Sequence, residues 1–404
     1  MAKRVCIIGG GAAGLAAAKH AIKEGHQVDI YEQTDKVGGT WVYSEETGCH
    51  SSMYKIMKTN LPKETMLFQD EPFREELPSF MSHEDVLEYL VEFSKDFQIH
   101  FNSTVIQVAR EGEFWKVVVE SNSSVSASLY HVVFVCNGHF FEPLNPYDVR
   151  DFKGEMLHSH DYRRAEHYEG KRVVVVGAGP SGIDITLQVA QTASHVTLIS
   201  KKATYDVLPA SVHQVATHVK GVYDHGVITD EGEHIEADAI IVCTGYVFKF
   251  PFFDSSLIRL KYNDLMVSPL YEHLCHVSFP TTLFFIGLPL GTITFPLFEV
   301  QVKYALALIA GKAKLPSAEE VRRFEDARLR RLQNPASFHV LVDEQWDYMR
   351  KLAEMGGFEQ WSYMETIRKL YSYIMSERRN NVIGYKSVNF ELTPDQTDFQ
   401  VVNL

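Results

Sequence analysis

The longest apolar stretches of this 404-residue sequence, such as Tyr304 to Ala310 and Thr281 to Leu288, fall far short of the roughly 18–20 residues that a helix needs to span a bilayer. Basic charge is also scarce. Lys and Arg number 39 against 52 Asp and Glu, for a net charge of -13. Nucleic acid and anionic membrane surfaces both require basic surface, so neither is an expected partner, nor is a membrane anchor. Cysteine is sparse, and the five residues are too few and too widely spaced for a disulfide framework. Cys6, Cys136 and Cys243 lie in apolar strand-like runs as buried thiols, and Cys49 has no neighbouring cysteine with which to form a redox pair. The 18 histidines contain no H-E-x-x-H, and no metal site is expected. Strand-like residues begin by Arg4 or Val5, which leaves no space for a signal peptide in the chain as given. A cytoplasmic protein is the default, and the sequons at Asn102 and Asn122 matter only for a secreted one whose leader has been removed.

What is present is a repeat. Val5-Cys6-Ile7-Ile8-Gly9-Gly10-Gly11-Ala12-Ala13-Gly14 recurs as Val173-Val174-Val175-Val176-Gly177-Ala178-Gly179-Pro180-Ser181-Gly182. Each copy is an apolar run, a G-x-G-x-x-G and a helix-forming segment. At the same spacing a second strand follows, Gln27 to Tyr31 and His195 to Ile199. One such motif is weak, but two in the strand–turn–helix–strand context predict two dinucleotide-binding folds. The glycines allow a tight turn, close approach of a pyrophosphate, and close helix–strand packing. The pyrophosphate then sits at a helix N-terminus, where free N–H groups and the dipole favour negative charge.

The copies differ where the nucleotide is chosen. Glu32 ends the second strand of the first, where a carboxylate can accept hydrogen bonds from ribose hydroxyls. Ser200 stands at that place in the second, followed by Lys201 and Lys202, a set that attracts a 2′-phosphate where a carboxylate would repel it. The first site suits FAD and the second NADPH, although two lysines after a strand also suit a solvated turn. The apolar runs His131 to Gly138 and Ala239 to Tyr246 each close one half, so the second unit is inserted into the first. The expected fold is α/β with two Rossmann-like domains in a glutathione-reductase-like arrangement: an FAD domain of residues 1–161 and 269–404, and an NADPH domain of residues 162–268. Phe114 to Val119 reads as a strand of a small antiparallel layer. Ser317-Ala318-Glu319-Glu320 reads as a capping box, Gly356-Gly357 as a helix stop, and the region after Pro316 as a helical lid on the FAD domain.

Four further motifs carry a family resemblance. F-x-G-x-x-x-H-x-x-x-Y-[K/R] is met by Phe152, Gly154, His158, Tyr162 and Arg163, just before the second glycine loop. Gly38-Gly39-Thr40-Trp41 follows the ribose-binding acid; Thr59-Asn60-Leu61-Pro62-Lys63-Glu64 and Cys243-Thr244-Gly245-Tyr246 complete the set. With these, the chain resembles the flavin-containing monooxygenases of class B over about residues 3–310. The C-terminus departs from the longer, membrane-anchored vertebrate members and is more similar to short insect enzymes, some of which N-oxygenate defensive plant alkaloids.

The resemblance implies that NADPH reduces FAD, the reduced flavin captures O₂, and a C4a-hydroperoxyflavin gives one oxygen to a soft nucleophilic nitrogen or sulfur of a small molecule. The flavin carries the difficult chemistry, so no protein acid or base is needed. It implies one catalytic side chain, Asn60, whose amide holds the oxygenated flavin, although an Asn before Leu-Pro also suits a plain turn. Cofactor contacts extend to Ala13, Gly39, Thr40, Trp41, Thr59, Leu61, Val105, Ser181 and Tyr246, with Gln301 a weaker candidate for the cleft. His158 and Tyr162 organise the interdomain linker; Phe252 and Phe253 line a channel or belong to the core. A Baeyer–Villiger enzyme would carry Trp at the position of Tyr162. A disulfide reductase needs the missing cysteine pair, and a redox sensor holding both nucleotides would not turn over. A homo-oligomer is possible.

Overall fold

The computed structural model describes residues 1–48, 50–122, 124–148, 152–313 and 315–403; Cys49 and Ser123, the middle of the second sequon, lie outside them. The first unit starts with β1 (Arg4–Ile8), buried after its first residue, which runs through the glycine loop into α1 (Ala12–Lys23). Ala16, Ala17 and Ala18 are fully buried, and their small size lets α1 lie close against the sheet. β2 (Gln27–Tyr31) pairs with β1 in parallel, Val5 opposite Val28. α2 (His83–Phe93) is held at its start by a Ser82–Asp85 capping box, and β3 (Ile99–His100) forms the sheet edge. β4 (Ser103–Glu111), β5 (Phe114–Ser121) and β6 (Ser124–Tyr130) make the expected antiparallel layer. On β5, Trp115, Val117 and Val119 are buried at every second position, the period of a strand with one wet face. β7 (Val132–Val135) then returns beside β1.

The chain next crosses into the second unit. A short β8 (Glu142–Pro143) precedes β9 (Glu155–His158), β10 (Arg172–Val176), α3 (Pro180–Val189), β11 (His195–Ser200) and β12 (Val212–Ala216). A three-stranded antiparallel excursion, β13 (Val219–Tyr223), β14 (Gly226–Thr229) and β15 (His234–Glu236), leads to β16 (Ala239–Val242). The parallel sheet has the order β12-β11-β10-β16-β9. On the way out, β17 (Tyr246–Val247) pairs antiparallel with β8, so the two crossing segments form one ribbon.

The hairpin β18 (Arg259–Lys261) and β19 (Met266–Ser268) follows, then β20 (Leu270–Tyr271), β21 (Cys275–His276) and β22 (Leu283–Phe285). These last three complete a seven-stranded sheet of order β20-β21-β22-β7-β1-β2-β3. α4 (Thr294–Ile309) packs on α1, followed by α5 (Ala318–Leu329), α6 (Glu344–Gly356) and α7 (Met364–Asn380). The Ser317–Glu320 capping box is formed, and Gly357 ends α6 in the left-handed conformation. A final hairpin joins β23 (Val388–Leu392) to β24 (Phe399–Asn403).

The insertion is as expected, but its limits differ. β9 already belongs to the second sheet, and Phe152 packs with Val174, Val176 and Ile240 of that unit. Phe248, Phe250, Phe252, Ile258 and Val267 pack with Cys6, Ile8, Val133 and Val135 of the first. The second unit therefore runs from about Phe152 to Val242, rather than over 162–268. Phe252 is core, with Phe253 packed against it. The C-terminal segment is not wholly a cover for the first unit either. Leu370, Ile374, Val382, Tyr385 and Phe390 share a cluster with Val173, Val175, Ile183 and Leu198 of the second.

Candidate dinucleotide and reaction site

The two glycine loops are built alike down to their steric conflicts. Gly9 and Gly177 have φ of +109° and +106°, and a Cβ on either would lie 2.4 Å from a carbonyl oxygen, that of Cys136 or of Cys243. These cysteines stand one residue past β7 and β16 rather than inside the strands, and burial pushes both thiols up, Cys243 to about 12. A Cβ on Gly14 or Gly182 would lie 1.9 Å from the oxygen of Gly9 or Gly177, so these two glycines seat each helix on its strand. Gly11 and Gly179 precede α1 and α3 without any side-chain cap, which leaves the first-turn N–H groups free for an anion. Ala13 and Ser181 lie half-buried in those first turns.

A second turn closes on the first loop. The Gly38 N–H donates to the Gly10 carbonyl at 3.1 Å, and a Cβ on Gly39 would come within 3.2 Å of the Gly11 Cα. The carboxylate of Glu32, buried, accepts from the Gly10 N–H at 2.7 Å and from the N–H and hydroxyl of Thr34, each at 2.8 Å. An ionised carboxylate has about four acceptor positions, which leaves capacity for a ribose hydroxyl. Ser103 at the start of β4 donates its N–H to the Glu32 carbonyl, and Val105, two residues on, is buried. The glycine cradle and this acid fit the adenosine and pyrophosphate of FAD.

The second unit repeats the register, Val173 opposite Val196, so Ser200 stands where Glu32 stands in the first. Its hydroxyl donates to the Lys202 carbonyl at 2.8 Å, and Lys201 and Lys202 are exposed with no ion pair found among the described residues. Nothing within 4 Å would meet a Cβ on Gly179, so this loop is open to a ligand. Two residues went unnoticed in the sequence. The Tyr205 hydroxyl donates to the Ala178 carbonyl at 3.0 Å, and Arg378 of α7 donates to that hydroxyl at 3.4 Å. Nothing periodic marks Arg378 for this place; only the fold brings α7 to the loop.

Residues 51–61 form a strap between the units. The Ser51 hydroxyl reaches the Thr40 carbonyl at 3.5 Å, beside Trp41, which is half-buried and edge-on to Phe295. Further along, Tyr54 donates to Asp184 of α3 at 2.7 Å. Thr59 is buried, its N–H on the Met81 carbonyl and its hydroxyl oxygen accepting from the Met81 N–H. Asn60 is half-buried and its carboxamide oxygen accepts from the Tyr385 hydroxyl at 3.4 Å, while Leu61 packs against three of the hydrophobic clusters. At the crossing ribbon, Tyr246 lies edge-on to His158, whose imidazole burial holds down to about 4. Tyr162 is buried against Tyr54 and Tyr168.

Gln301 is a correction. It is wholly buried: its carbonyl oxygen accepts from the Gly287 N–H and its NH₂ donates to the Tyr348 hydroxyl, so it braces the core and lines no cleft.

Glu64 stands out electrostatically. One carboxylate oxygen accepts from Ser79 at 3.0 Å, the other is buried with no partner found among the described residues, and burial raises its pKa from 4.5 to about 7. The folded state therefore holds this proton more tightly, and the chain loses stability as pH rises from 4.5 through about 7. Glu64→Gln is expected to match the wild type at pH 4.5 and to exceed it at pH 8 by up to ~3 kcal/mol. Urea unfolding at both pH values checks this; an equal difference at both contradicts it.

The chain is similar to known proteins over most of its length. The FMO-like family of flavin-binding monooxygenases matches residues 2–209 and 205–361. The flavin-containing monooxygenase FMO GS-OX5 of Arabidopsis thaliana is 34% identical over 402 residues, covering 89% of this chain and 87% of its own length. The solved S-allyl-L-cysteine S-oxygenase from Allium sativum superposes with a TM-score of 0.88 at 30% identity, over 96% of this chain and 95% of that one. Tmm from Pelagibacter sp. strain HTCC7211 gives 0.85 at 27% identity, over 99% and 96%. An open form of cyclohexanone monooxygenase, at 15% identity and a TM-score of 0.62, shares the fold alone.

Proposed function

This chain belongs to the FMO-like flavin-binding monooxygenase family, and on that premise we propose that it uses NADPH and O₂ to place one oxygen atom on a soft nucleophilic nitrogen or sulfur of a small substrate. It is a flavin monooxygenase with FAD and NADPH as cofactors. Bound FAD supplies hydride acceptance and oxygen activation. The chain supplies position, exclusion of water and fixed hydrogen bonds. The Gly9–Gly14 loop and Glu32 hold the flavin dinucleotide, and the Gly177–Gly182 loop with Ser200, Lys201 and Lys202 holds NADPH. Asn60 presents its NH₂ group to the reacting centre while its oxygen is engaged by Tyr385. The observation that carries this reading is the strap: one short segment, the one that also carries Asn60, touches Thr40 of the first unit and Asp184 of the second. Thioethers are favoured by the S-oxygenase likeness, and tertiary amines, including alkaloids, belong to the same chemical class.

Asn60→Asp tests it. The change replaces a donor with a carboxylate that only accepts and repels developing negative charge. The variant is expected to keep FAD and consume NADPH, yet release several-fold more hydrogen peroxide and less N- or S-oxide per turnover. An unchanged ratio of product to NADPH would reduce Asn60 to a turn residue. A ketone in the same panel identifies Baeyer–Villiger chemistry by its ester product.

A further inference from the structure

Behind the Asn60 strap lies a buried ion pair that the oxygen-transfer chemistry does not use. Lys386, in the turn between α7 and β23, donates to Asp184 Oδ1 at 2.8 Å and to the Lys58 carbonyl at 3.0 Å. The other Asp184 oxygen accepts from Tyr54 at 2.7 Å. The two charged side chains are only 16% and 10% exposed. Tyr385, next in the chain, holds the Asn60 carboxamide. Three segments remote in sequence thus meet at one carboxylate: the strap, the C-terminal turn, and α3 just past the second glycine loop.

Such a pair is a poor source of stability, because desolvating both charges offsets their attraction, and well-packed apolar residues usually do as well. Asp is also unfavourable inside a helix. What the pair does provide is direction. Lys386 has two fixed acceptors, one on α3 and one on the strap two residues before Asn60. We propose that Lys386 and Asp184 are positioning residues that lock the Asn60 strap to the NADPH unit, so that nucleotide binding on α3 and the placement of the Asn60 amide are coupled. The role in oxygen transfer rests on the reading of Asn60 given above.

Either single substitution strands a buried charge and risks misfolding, so the test uses Asp184→Asn combined with Lys386→Met. In the FAD-loaded double variant with NADP⁺, amide hydrogen exchange at Met57 and Thr59, whose N–H groups bond Tyr54 and Met81, is expected to quicken about tenfold. Peroxide per NADPH should rise several-fold, with FAD retention and the thermal midpoint close to wild type. A merely structural pair would move the midpoint and leave coupling alone. Unchanged exchange overturns the proposal; faster exchange with unchanged coupling, where Asn60→Asp does uncouple, overturns the positioning role. If Asn60→Asp itself has no effect, the Asn60 reading falls, and the exchange rate still decides whether the pair holds the strap.

Discussion

Gly182→Ala is expected to give a yellow protein that NADPH no longer reduces efficiently, whereas Gly14→Ala is expected to lose the flavin itself. The reason is the same at both positions. The added Cβ would lie 1.9 Å from a backbone oxygen at the end of the preceding strand, where no flexible side chain can give way. The helix must lift from the strand, carrying its free N–H groups away from the pyrophosphate. Overpacking of this kind costs roughly 1–3 kcal/mol, and ~3 kcal/mol in binding is more than a hundredfold in affinity. Because the loops sit in separate sheets, each change should damage one cofactor and spare the other. Flavin absorbance after desalting and calorimetric titration with NADP⁺ read the two sites independently. If Gly182→Ala strips FAD and leaves NADP⁺ binding intact, the assignment of the two loops is reversed.

Ser200→Glu is expected to turn a preference for NADPH into one for NADH. It places a carboxylate at the register position that Glu32 holds in the first unit, against the 2′-phosphate and within reach of ribose hydroxyls. Removing the positive charge of Lys201 or Lys202 should weaken NADPH alone. Hydrogen bonds to charged groups contribute about 1.5–3 kcal/mol each, which predicts roughly a 10- to 100-fold loss in kcat/KM for NADPH. Both lysines are exposed, so the wild-type preference should also shrink as salt rises. Equal use of both nucleotides by the wild type, or a Lys201→Ala change that affects NADH as much as NADPH, contradicts the assignment.

The parts of this protein that were legible in the sequence are those where local chemistry leaves little choice. Gly9, Gly14, Gly177 and Gly182 occupy positions that no side chain can enter, and Glu32 and Ser200 follow from strand register alone. Ser317 with Glu320, and Gly357, carry their capping chemistry in their own side chains or lack of one. What was missed depends on pairing between distant segments. β9 is four residues long and joins the second sheet only through β16, more than 80 residues on, so nothing local in the sequence marks the start of the insertion. The aromatic run around Phe250 has no strand period, and only the folded core assigns it to the first unit. Gln301 shows the same limit at one side chain. A polar residue on an apolar helix suggests a cleft, but the Gly287 N–H and the Tyr348 hydroxyl satisfy it inside the core. Tyr385 and Lys386 lie in a tail with no motif, yet they reach Asn60 and Asp184.

The most direct test of oxygen transfer is the fate of ¹⁸O₂. Purified FAD-loaded protein is given NADPH, a thioether or a tertiary amine, and labelled oxygen, and the product is weighed by mass spectrometry against NADPH consumed. The account predicts a sulfoxide or N-oxide carrying one heavy oxygen atom, formed in near-equal amount to the NADPH oxidised. Product without label, or complete diversion of the electrons to hydrogen peroxide with every soft nucleophile offered, would contradict it.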